Sequence, residues 1–385
     1  MVSRIATTKA TLSDIARRAG VSTATASRVL NGSGRASAEA KAAIFEAASE
    51  LGYRRAAVID APAARPEELV EVVWHWHSAY DTVRLDAAGG LDVGAPVAVG
   101  GADDAGAASR FGHSFFQDIL NGILDELARN GRTAAVRMCH DLLDARFLAD
   151  VNAPGRVGAI LLGEFAPEAA DFAAACRVPL VFADQDIDAG ADVVAIDNAS
   201  GILESVGRLA ALGHRGIGFV GGFAENPSFA ARRRAWEWGM REHGLPIRAE
   251  WTAACHGELA AASAAVGAIL SRANRPTALV CANDNLALAV YRAAGALGLA
   301  IPRDLSVTGF DDIDLAPLLS PPLTTVAVPS VQIGRLAVRL LLSRIATPPR
   351  ADEPAARAVV RTRFVERASI GPVPRPRTPN RKRTP

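Results

Sequence analysis

The chain of 385 residues carries a net charge of +1 at pH 7, and half of its residues are hydrophobic. This length and composition favour two or three globular domains, and the lack of a long apolar run argues against a membrane span or a signal peptide. Four cysteines, far apart and without a CxxC pair, favour reduced thiols over a disulfide scaffold. We therefore expect a cytoplasmic protein of more than one domain.

The charge is unevenly distributed along the chain. Residues 1–60 contain nine basic and five acidic side chains, and residues 372–385 contain five basic and no acidic ones. The segment between them, residues 61–371, therefore carries about −8. A basic head on an acidic body predicts that a polyanion such as DNA binds at the head.

Three short helices are predicted in residues 1–55. Gly20 is placed to end the first helix, and Ser22 is the expected N-cap of a second helix that ends near Leu30. Ser37 can cap the third helix. Two helices separated by the tight turn AGVS, with a third to complete a core, form the helix-turn-helix arrangement.

The second helix has a narrow exposed face, which would let its backbone approach base edges in the major groove. The small residues of this face are Thr23, Ala24, Thr25 and Ser27. Arg28 is a long donor suited to a bidentate contact with guanine. Residues at helix ends and turns are placed for phosphate contacts, namely Asn31, Ser37 and Tyr53. The alternative is an Ala-rich three-helix unit without a DNA-binding role.

The body follows an Ala/Pro-rich linker at residues 56–68. From residue 69 to 371, apolar strand-like runs alternate with helical stretches, which predicts two doubly wound parallel α/β lobes. Residues 80–110 are rich in Gly, Ala and Asp and are expected to form an inserted loop or a small hairpin. Residues 372–385 lack apolar periodicity and are expected to be disordered.

The segment TLSDIARRAGVSTATASRVLNGSGRASAEAKAAIFEAASELGYR closely resembles the DNA-binding head of the lactose-repressor (LacI/GalR) family of transcription regulators. Segments such as IDNASGILESVGRLAALGHRGIGFVGG and PTALVCANDNLALAVYRAAGALGLAIPRDLSVTGFDD resemble the body of the same family. The resemblance spans most of residues 11–371. It implies an all-α helix-turn-helix head and an α/β body that is similar to periplasmic sugar-binding proteins. The lobes are expected at about 69–196 with 328–351 (N lobe) and 197–327 with 352–371 (C lobe).

The resemblance also implies roles for individual residues. Thr23, Ala24 and Arg28 would contact bases, and the phosphate contacts would come from Ser22, Thr25, Ser27, Asn31 and Tyr53. An effector cleft would be lined by His113, Phe115, Phe116, Asp184, Arg232, Asn283 and Asp311. These residue types suit sugar hydroxyls, because carboxylates and amides form paired hydrogen bonds while aromatic rings cover a sugar face. The alternatives are that Asn283 and Asp284 only cap a helix, that Asp311 only caps a turn, and that the two phenylalanines belong to the core.

Two positions depart from the family pattern. The family has a hinge helix after the head, whose leucine enters the minor groove, but RRAAVIDAPAARP contains Pro62 and Pro66 and no leucine. Val58 or Ile59 could serve in its place. Val328 occupies a position that is often polar in the family, which leaves the chemistry of the ligand open.

We expect a homodimeric repressor that binds a pseudo-palindromic DNA operator and responds to a small effector, first of all a sugar. No cofactor, metal or membrane partner is expected. A constitutive regulator with a degenerate pocket and an enzyme with a DNA-binding head are the alternatives, although we find no nucleophile–base pair, metal cluster or phosphate loop in motif context. His75 and His77 fit buried or pocket-lining histidines better than metal ligands.

Overall fold

The computed structural model describes most of the body and part of the head. The described residues are 12–30, 40–41, 43–44, 47, 68–75, 84–85, 91–92, 114–163, 166–222, 225–255, 259–348 and 353–373. The chain divides into two compact units, residues 1–63 and 64–385. Within the described residues, no helix is long and apolar enough to cross a membrane.

The head contains helices α1 (Leu12–Arg18) and α2 (Thr23–Leu30). Gly20 has a φ of 65°, the left-handed conformation that glycine adopts easily after a helix, so its predicted role as a helix stop is confirmed. The backbone N–H of Thr25 donates to Ser22 Oγ (3.1 Å), which confirms Ser22 as the cap of α2. A small buried cluster joins these helices to the third helical segment through Ile15, Val29, Ile44 and Ala47.

The body is an alternation of strands and helices, as predicted. Its strands are β1 (Leu69–His75), β2 (Arg84–Leu85), β3 (Leu91–Asp92), β4 (Thr133–Cys139), β5 (Arg156–Gly163), β6 (Leu180–Ala183), β7 (Asp192–Ile196), β8 (Ile217–Gly221), β9 (Thr252–Ala254), β10 (Ala278–Cys281), β11 (Ser306–Thr308), β12 (Thr325–Ala327), β13 (Arg357–Val360) and β14 (Arg363–Val365). Its helices are α3 (Ser114–Arg129), α4 (Ala145–Val151), α5 (Ala169–Ala175), α6 (Ser200–Ala211), α7 (Pro227–Glu242), α8 (Leu259–Leu270), α9 (Asp284–Ala296) and α10 (Ser330–Ala346).

Two parallel sheets define the two lobes. The N-lobe sheet has the order β13-β7-β6-β5-β1-β4, and the C-lobe sheet has the order β11-β10-β8-β9. Central strands such as β6, β7, β8 and β10 are buried along their whole length. Their continuous apolar runs follow from this, since helices cover both faces of a parallel sheet.

The chain passes between the lobes three times: after β7, between β12 and α10, and between β13 and β14. The sequence predicts residues 352–371 in the C lobe, but the structure places β13 in the N-lobe sheet beside β7. The buried Asp192 carboxylate holds it there, because it accepts hydrogen bonds from the backbone N–H of Ala356 (2.6 Å) and from Arg344 (2.7 Å). The chain then returns to the C lobe, where the N–H of Val307 donates to the carbonyl of Ser369 (2.9 Å).

The predicted insertion contains a hairpin. Strands β2 and β3 pair in antiparallel register, with Arg84 opposite Asp92 and Leu85 opposite Leu91. This matches one of the two forms expected for residues 80–110. The other residues of the insertion lie outside the described residues, as do most of the linker and residues 374–385.

Helices α3 and α10 approach each other closely in the N lobe. A Cβ atom at Gly122 would overlap the carbonyl oxygen of Val331, and one at Gly334 would overlap the carbonyl oxygen of Ile119. Both positions therefore need glycine for the helices to pack at this distance. Arg339 Nε also donates to the Glu126 carboxylate across the same contact (2.8 Å).

Candidate DNA-binding helix and effector cleft

The first residues of α2 form the predicted DNA-binding surface of the head. Ser22 and Thr23 are exposed and Thr25 is partly buried. Two hydroxyls predicted to contact phosphate are hydrogen-bonded to each other, since Ser22 Oγ and Thr25 Oγ1 lie 2.8 Å apart. If the two hydroxyls exchanged this bond for contacts to phosphate, the start of the helix would stay in place. The N–H of Thr25 is held separately, by Ser22 Oγ and by the Ser22 carbonyl (3.0 Å).

The remaining predicted DNA contacts are only partly visible. Three of them lie in α2, but their side chains are outside the described set: Ala24, Ser27 and Arg28. Three others lie outside the described residues altogether: Asn31, Ser37 and Tyr53. Their roles stay predictions from the sequence.

In the body, the structure brings together a set of charged and polar residues that we call the interlobe cluster. It consists of Asp184, Asn198, Arg232, Asp284 and Asp311. Asp184 follows β6 in the N lobe, and Arg232 lies on α7 in the C lobe. The carboxyl ends of parallel strands and the N-termini of the following helices share one edge of a sheet, which is where ligands of doubly wound proteins bind.

Arg232 is the centre of this cluster and is only 4% exposed. Its Nε donates to Asn198 Oδ1 (2.8 Å), and its Nη1 donates to the carbonyl of Ala282 (2.6 Å) and lies 3.6 Å from Asp311 Oδ1. The guanidinium carbon lies 3.8 Å from the ring centroid of Phe310. Burial lowers the pKa of Arg232 while the carboxylates of Asp311 and Asp184 raise it, so the side chain stays a cation.

The two predicted carboxylates of the cleft are held in strained backbone conformations. Asp184 has a φ of 65° and Asp311 a φ of 109°. Burial raises the pKa of Asp184 to about 7 and that of Asp311 to about 6, although Arg232 opposes both shifts. Asp311 and Asp186 add to the shift at Asp184. Carboxyl groups with such perturbed pKa values are typical of functional sites.

Two members of the interlobe cluster were missed by the sequence analysis. Asn198 follows β7 in the segment IDNASG, and its amide also donates to Ser228 Oγ (3.3 Å). Asp284 is buried and accepts hydrogen bonds from Thr325 Oγ1 (2.5 Å) and the N–H of Ile313 (3.0 Å). Burial, with Asp311, raises the pKa of Asp284 to about 8. Both residues lie within three positions of the end of a buried strand, and polar residues so close to strand ends were the signal that could have identified them.

The other predicted cleft residues differ in their structural surroundings. Asn283 is the N-cap of α9, since its Oδ1 accepts from the N–H of Leu286 (2.9 Å), so this oxygen already serves the capping role. Phe115 and Phe116 are half-buried at the start of α3, with their rings edge to face at 5.2 Å, and both pack against the core. Each ring therefore contributes to the core and keeps a part of its surface exposed. His113 lies outside the described residues.

His75 is fully buried at the end of β1, 3.7 Å from the Glu168 carboxylate. No group of three His, Cys, Asp or Glu side chains is arranged for a metal ion in the part of the chain that the structure describes. His77 lies outside that part.

Comparison with known proteins identifies both parts of the chain. Residues 11–56 match the model for bacterial regulatory proteins of the lacI family, and residues 206–370 match that for a periplasmic binding protein-like domain. The HTH-type transcriptional repressor PurR of Pectobacterium atrosepticum is 30% identical over 372 residues, which cover 95% of this chain and 98% of that protein. The chain belongs to the lacI family of bacterial regulatory proteins.

Other lacI-family proteins align over nearly the full length. The ribose operon repressor of Haemophilus influenzae is 29% identical over 344 residues, covering 88% of this chain and 93% of its own. Among solved structures, a complex of the transcriptional regulator CelR with cellobiose has a TM-score of 0.64 at 24% identity, covering 94% of this chain and all of that one. A lac repressor dimer bound to operator has a TM-score of 0.61 at 23% identity, with coverages of 94% and 99%.

These comparisons confirm the predicted fold class, a helix-turn-helix head followed by a two-lobed α/β body. They also confirm the predicted function class, a DNA-binding transcriptional regulator of the lacI family. The PurR and ribose operon relatives are both named as repressors.

Proposed function

We propose that this protein represses transcription from a pseudo-palindromic operator and that a small sugar, bound between the two lobes, switches its affinity for that operator. The interlobe cluster is the observation that carries the proposal, because it places the C-lobe Arg232 guanidinium in the electrostatic field of the N-lobe Asp184 carboxylate. A ligand held by both lobes favours one arrangement of the lobes. It changes DNA affinity by its differential affinity for the arrangements.

A sugar is supported by the chemistry of the cleft residues. Ionised carboxylates accept hydrogen bonds from hydroxyls, and guanidinium and amide groups donate to them. The relatives point the same way: one is named for a ribose operon, and two solved structures of this fold hold cellobiose or ribose. We assign contacts with the effector to His113, Phe115, Phe116, Asp184, Arg232, Asn283 and Asp311, with Asn283 acting through its amide nitrogen.

The head, residues 1–55, would read the operator through α2. We assign base contacts to Thr23, Ala24 and Arg28, and phosphate contacts to Ser22, Thr25, Ser27, Asn31, Ser37 and Tyr53. The body, residues 69–371, would form a symmetric homodimer, joined to the heads by the linker at 56–68. Two heads on a dimer match two half-sites of a palindrome. The protein would act in the cytoplasm and catalyse no reaction.

Selection of bound duplexes from a random library with the full-length protein tests the DNA-binding role. We expect a palindromic consensus. Arg28→Ala should weaken binding to that consensus by about 1–3 kcal/mol and relax the preference at one base pair of each half-site. Arg17→Ala is the matched control, because Arg17 is exposed and paired with Asp14, and it should affect all duplexes alike. Recovery of no consensus sequence would contradict the proposal.

Titration of the operator complex with a panel of sugars tests the effector. We expect at least one pentose, hexose or disaccharide to change operator affinity by tenfold or more, a typical allosteric coupling. A panel without any effect, despite specific operator binding, would favour a constitutive regulator instead.

A further inference from the structure

We infer that the cleft selects effectors without a negative charge, and that Asp184 is the residue that determines this specificity. The inference rests on the proposed function, since it narrows the class of effector for the same site. It excludes phosphorylated sugars, sugar acids and nucleotides, and it admits neutral sugars and nucleosides.

The guanidinium of Arg232 is poorly available to an anion. Phosphate and carboxylate groups prefer two parallel donors from one arginine. Here Nε is used by Asn198 and Nη1 by the carbonyl of Ala282, and the nearby Asp311 already balances the charge. Among the described residues, Nη2 has no hydrogen-bond partner, so one nitrogen remains for a ligand. A single donor suits a hydroxyl better than a phosphate.

At three helix N-termini of the C lobe, side chains of the protein already occupy N–H groups that could bind an anion. Free N–H groups at the start of a helix commonly bind phosphate. In α7 these groups donate to Asn226 Oδ1, and in α9 the N–H of Leu286 donates to Asn283 Oδ1. In α6 the first N–H groups donate to the Asp197 carboxylate, which adds a negative charge. The buried Asp284 lies at the start of α9, where its carboxyl group is already hydrogen-bonded to Thr325 and to the N–H of Ile313.

The Asp184 carboxylate provides the repulsion that excludes an anionic ligand. One of its oxygens, Oδ1, is buried and has no hydrogen-bond partner among the described residues. The charges of Arg232, Asp311 and Asp186 all act on the Asp184 carboxylate. Asp184 is therefore electrostatically coupled to the interlobe cluster. When ionised it can only accept hydrogen bonds, so a hydroxyl of a ligand satisfies it and an anionic oxygen does not. It is also contributed by the N lobe, so a repelled ligand cannot bridge the two lobes.

Calorimetry with the full-length protein at pH 8 tests the inference with matched pairs: ribose and ribose 5-phosphate, glucose and glucose 6-phosphate, cytidine and its 5′-monophosphate. In each pair that binds, we expect the uncharged member to bind at least a hundredfold more tightly. Asp184→Asn should reduce this ratio at least tenfold. Asparagine keeps the size, one acceptor oxygen and the tolerance for the left-handed backbone of this position.

Asp150→Asn is the matched control, because it makes the same change at an exposed carboxylate of α4 that is paired with Arg137 (2.7 Å) and is not among the charges that shift the pKa of Asp184. It should change the ratio by less than twofold. A second measurement does not depend on a variant. Raising KCl from 50 to 500 mM should bring the affinities of the uncharged and phosphorylated compounds closer together in the wild-type protein, since salt screens repulsion between like charges.

The outcomes separate this inference from the proposed function. A phosphorylated member that binds as tightly as its uncharged partner overturns the inference and leaves effector control intact. A ratio unchanged by both Asp184→Asn and salt overturns the role of Asp184. If no compound of either kind binds while the operator is still recognised, the proposed effector control fails and the inference falls with it.

Discussion

At the scale of single residues, backbone strain and buried charge coincide in the interlobe cluster. Among the described non-glycine residues, those with positive φ are Asp184, Asp311 and Asp312. Such conformations cost free energy and persist where surrounding contacts impose them, most often at functional sites. At Asp311 the contacts are visible: its N–H donates to the carbonyl of Val326 (2.8 Å), and its carbonyl accepts from Val328 (3.3 Å). The crossing between the lobes therefore sets the position of this carboxylate.

Arg232→Ala should abolish the response to effector and lower the free energy of unfolding by about 3 kcal/mol. The second effect follows because the substitution leaves Asp311 buried without its cation, and breaking a buried pair costs about 3–5 kcal/mol. Operator titration and urea unfolding measure the two effects. Arg233→Ala is the control, since Arg233 is exposed and paired with Glu237. A normal effector response in Arg232→Ala would show that the cleft lies elsewhere.

The stability of the body should decrease as the pH rises through neutrality. Asp284 has a pKa of about 8 in the folded protein because of burial and the nearby Asp311 and Asp312, against about 4 in an unfolded chain. Between these values the folded state binds more protons, so the free energy of unfolding falls as pH increases and levels off above pH 8. Hydrogen bonds from Thr325 and Ile313 oppose the shift without cancelling it.

Thermal unfolding of wild type and Asp284→Asn from pH 5 to 9 measures this effect. The wild-type Tm should fall by a few degrees over this range, and the variant should show a shallower decline. Part of the decline should remain, because Asp184 and Asp311 titrate in the same direction. Asp150→Asn, at an exposed residue of α4, should leave the slope unchanged. Parallel curves for Asp284→Asn and wild type would refute this assignment.

At the scale of secondary-structure elements, the contact between α3 and α10 is tightly constrained. Gly334→Ala would insert a methyl group into the backbone of α3 at Ile119, and we expect a loss of about 1–3 kcal/mol. Gly295→Ala is the control for the general effect of replacing a helical glycine by alanine, because nothing lies within 4 Å of the added Cβ. That variant should be neutral or up to about 1 kcal/mol more stable. Equal Tm values for the two variants would contradict the packing argument.

How far the sequence predicts these elements depends on how local the signal is. The turn at Gly20, the cap at Ser22 and the buried runs of the central strands all follow from neighbouring residues, and the structure contains them. The placement of β13 could not be predicted, because its pattern RAVV fits an edge strand of either lobe. Its position depends on Asp192, more than 150 residues earlier in the chain.

The candidate site shows the same division. The motif that contains Arg232 predicted a residue that lies in the interlobe cluster, but nothing local in the sequence pairs Arg232 with Asn198, 34 residues away. For Asn283, the local sequence correctly predicted a helix cap. Its Oδ1 is used by that cap, so only its amide nitrogen is left for the proposed ligand contact. Residues that act through distant partners can be placed only once the fold is known.

At the scale of the whole molecule, the proposed dimer with two heads implies that binding depends on operator geometry. Half-sites one helical turn apart, about 10 base pairs, should bind most tightly, because both heads then face the same side of the duplex. Inserting 5 base pairs between the half-sites should weaken binding at least tenfold, and inserting 10 should restore part of the affinity. Electrophoretic mobility shifts at fixed salt measure this series. Affinity independent of spacing would indicate that each head binds alone.

Because the chain passes between the lobes three times, neither lobe can finish folding until synthesis of the chain is nearly complete. The N-lobe sheet lacks its edge strand until residue 360 has been synthesised, and in the C lobe the buried His214 bonds to the carbonyl of Gly371 (2.9 Å). Neither half of the body can complete its hydrogen bonding while the nascent chain is still growing through these positions. A nonsense mutation shortly after Ala346 would thus damage both halves at once, although it removes only about a tenth of the protein.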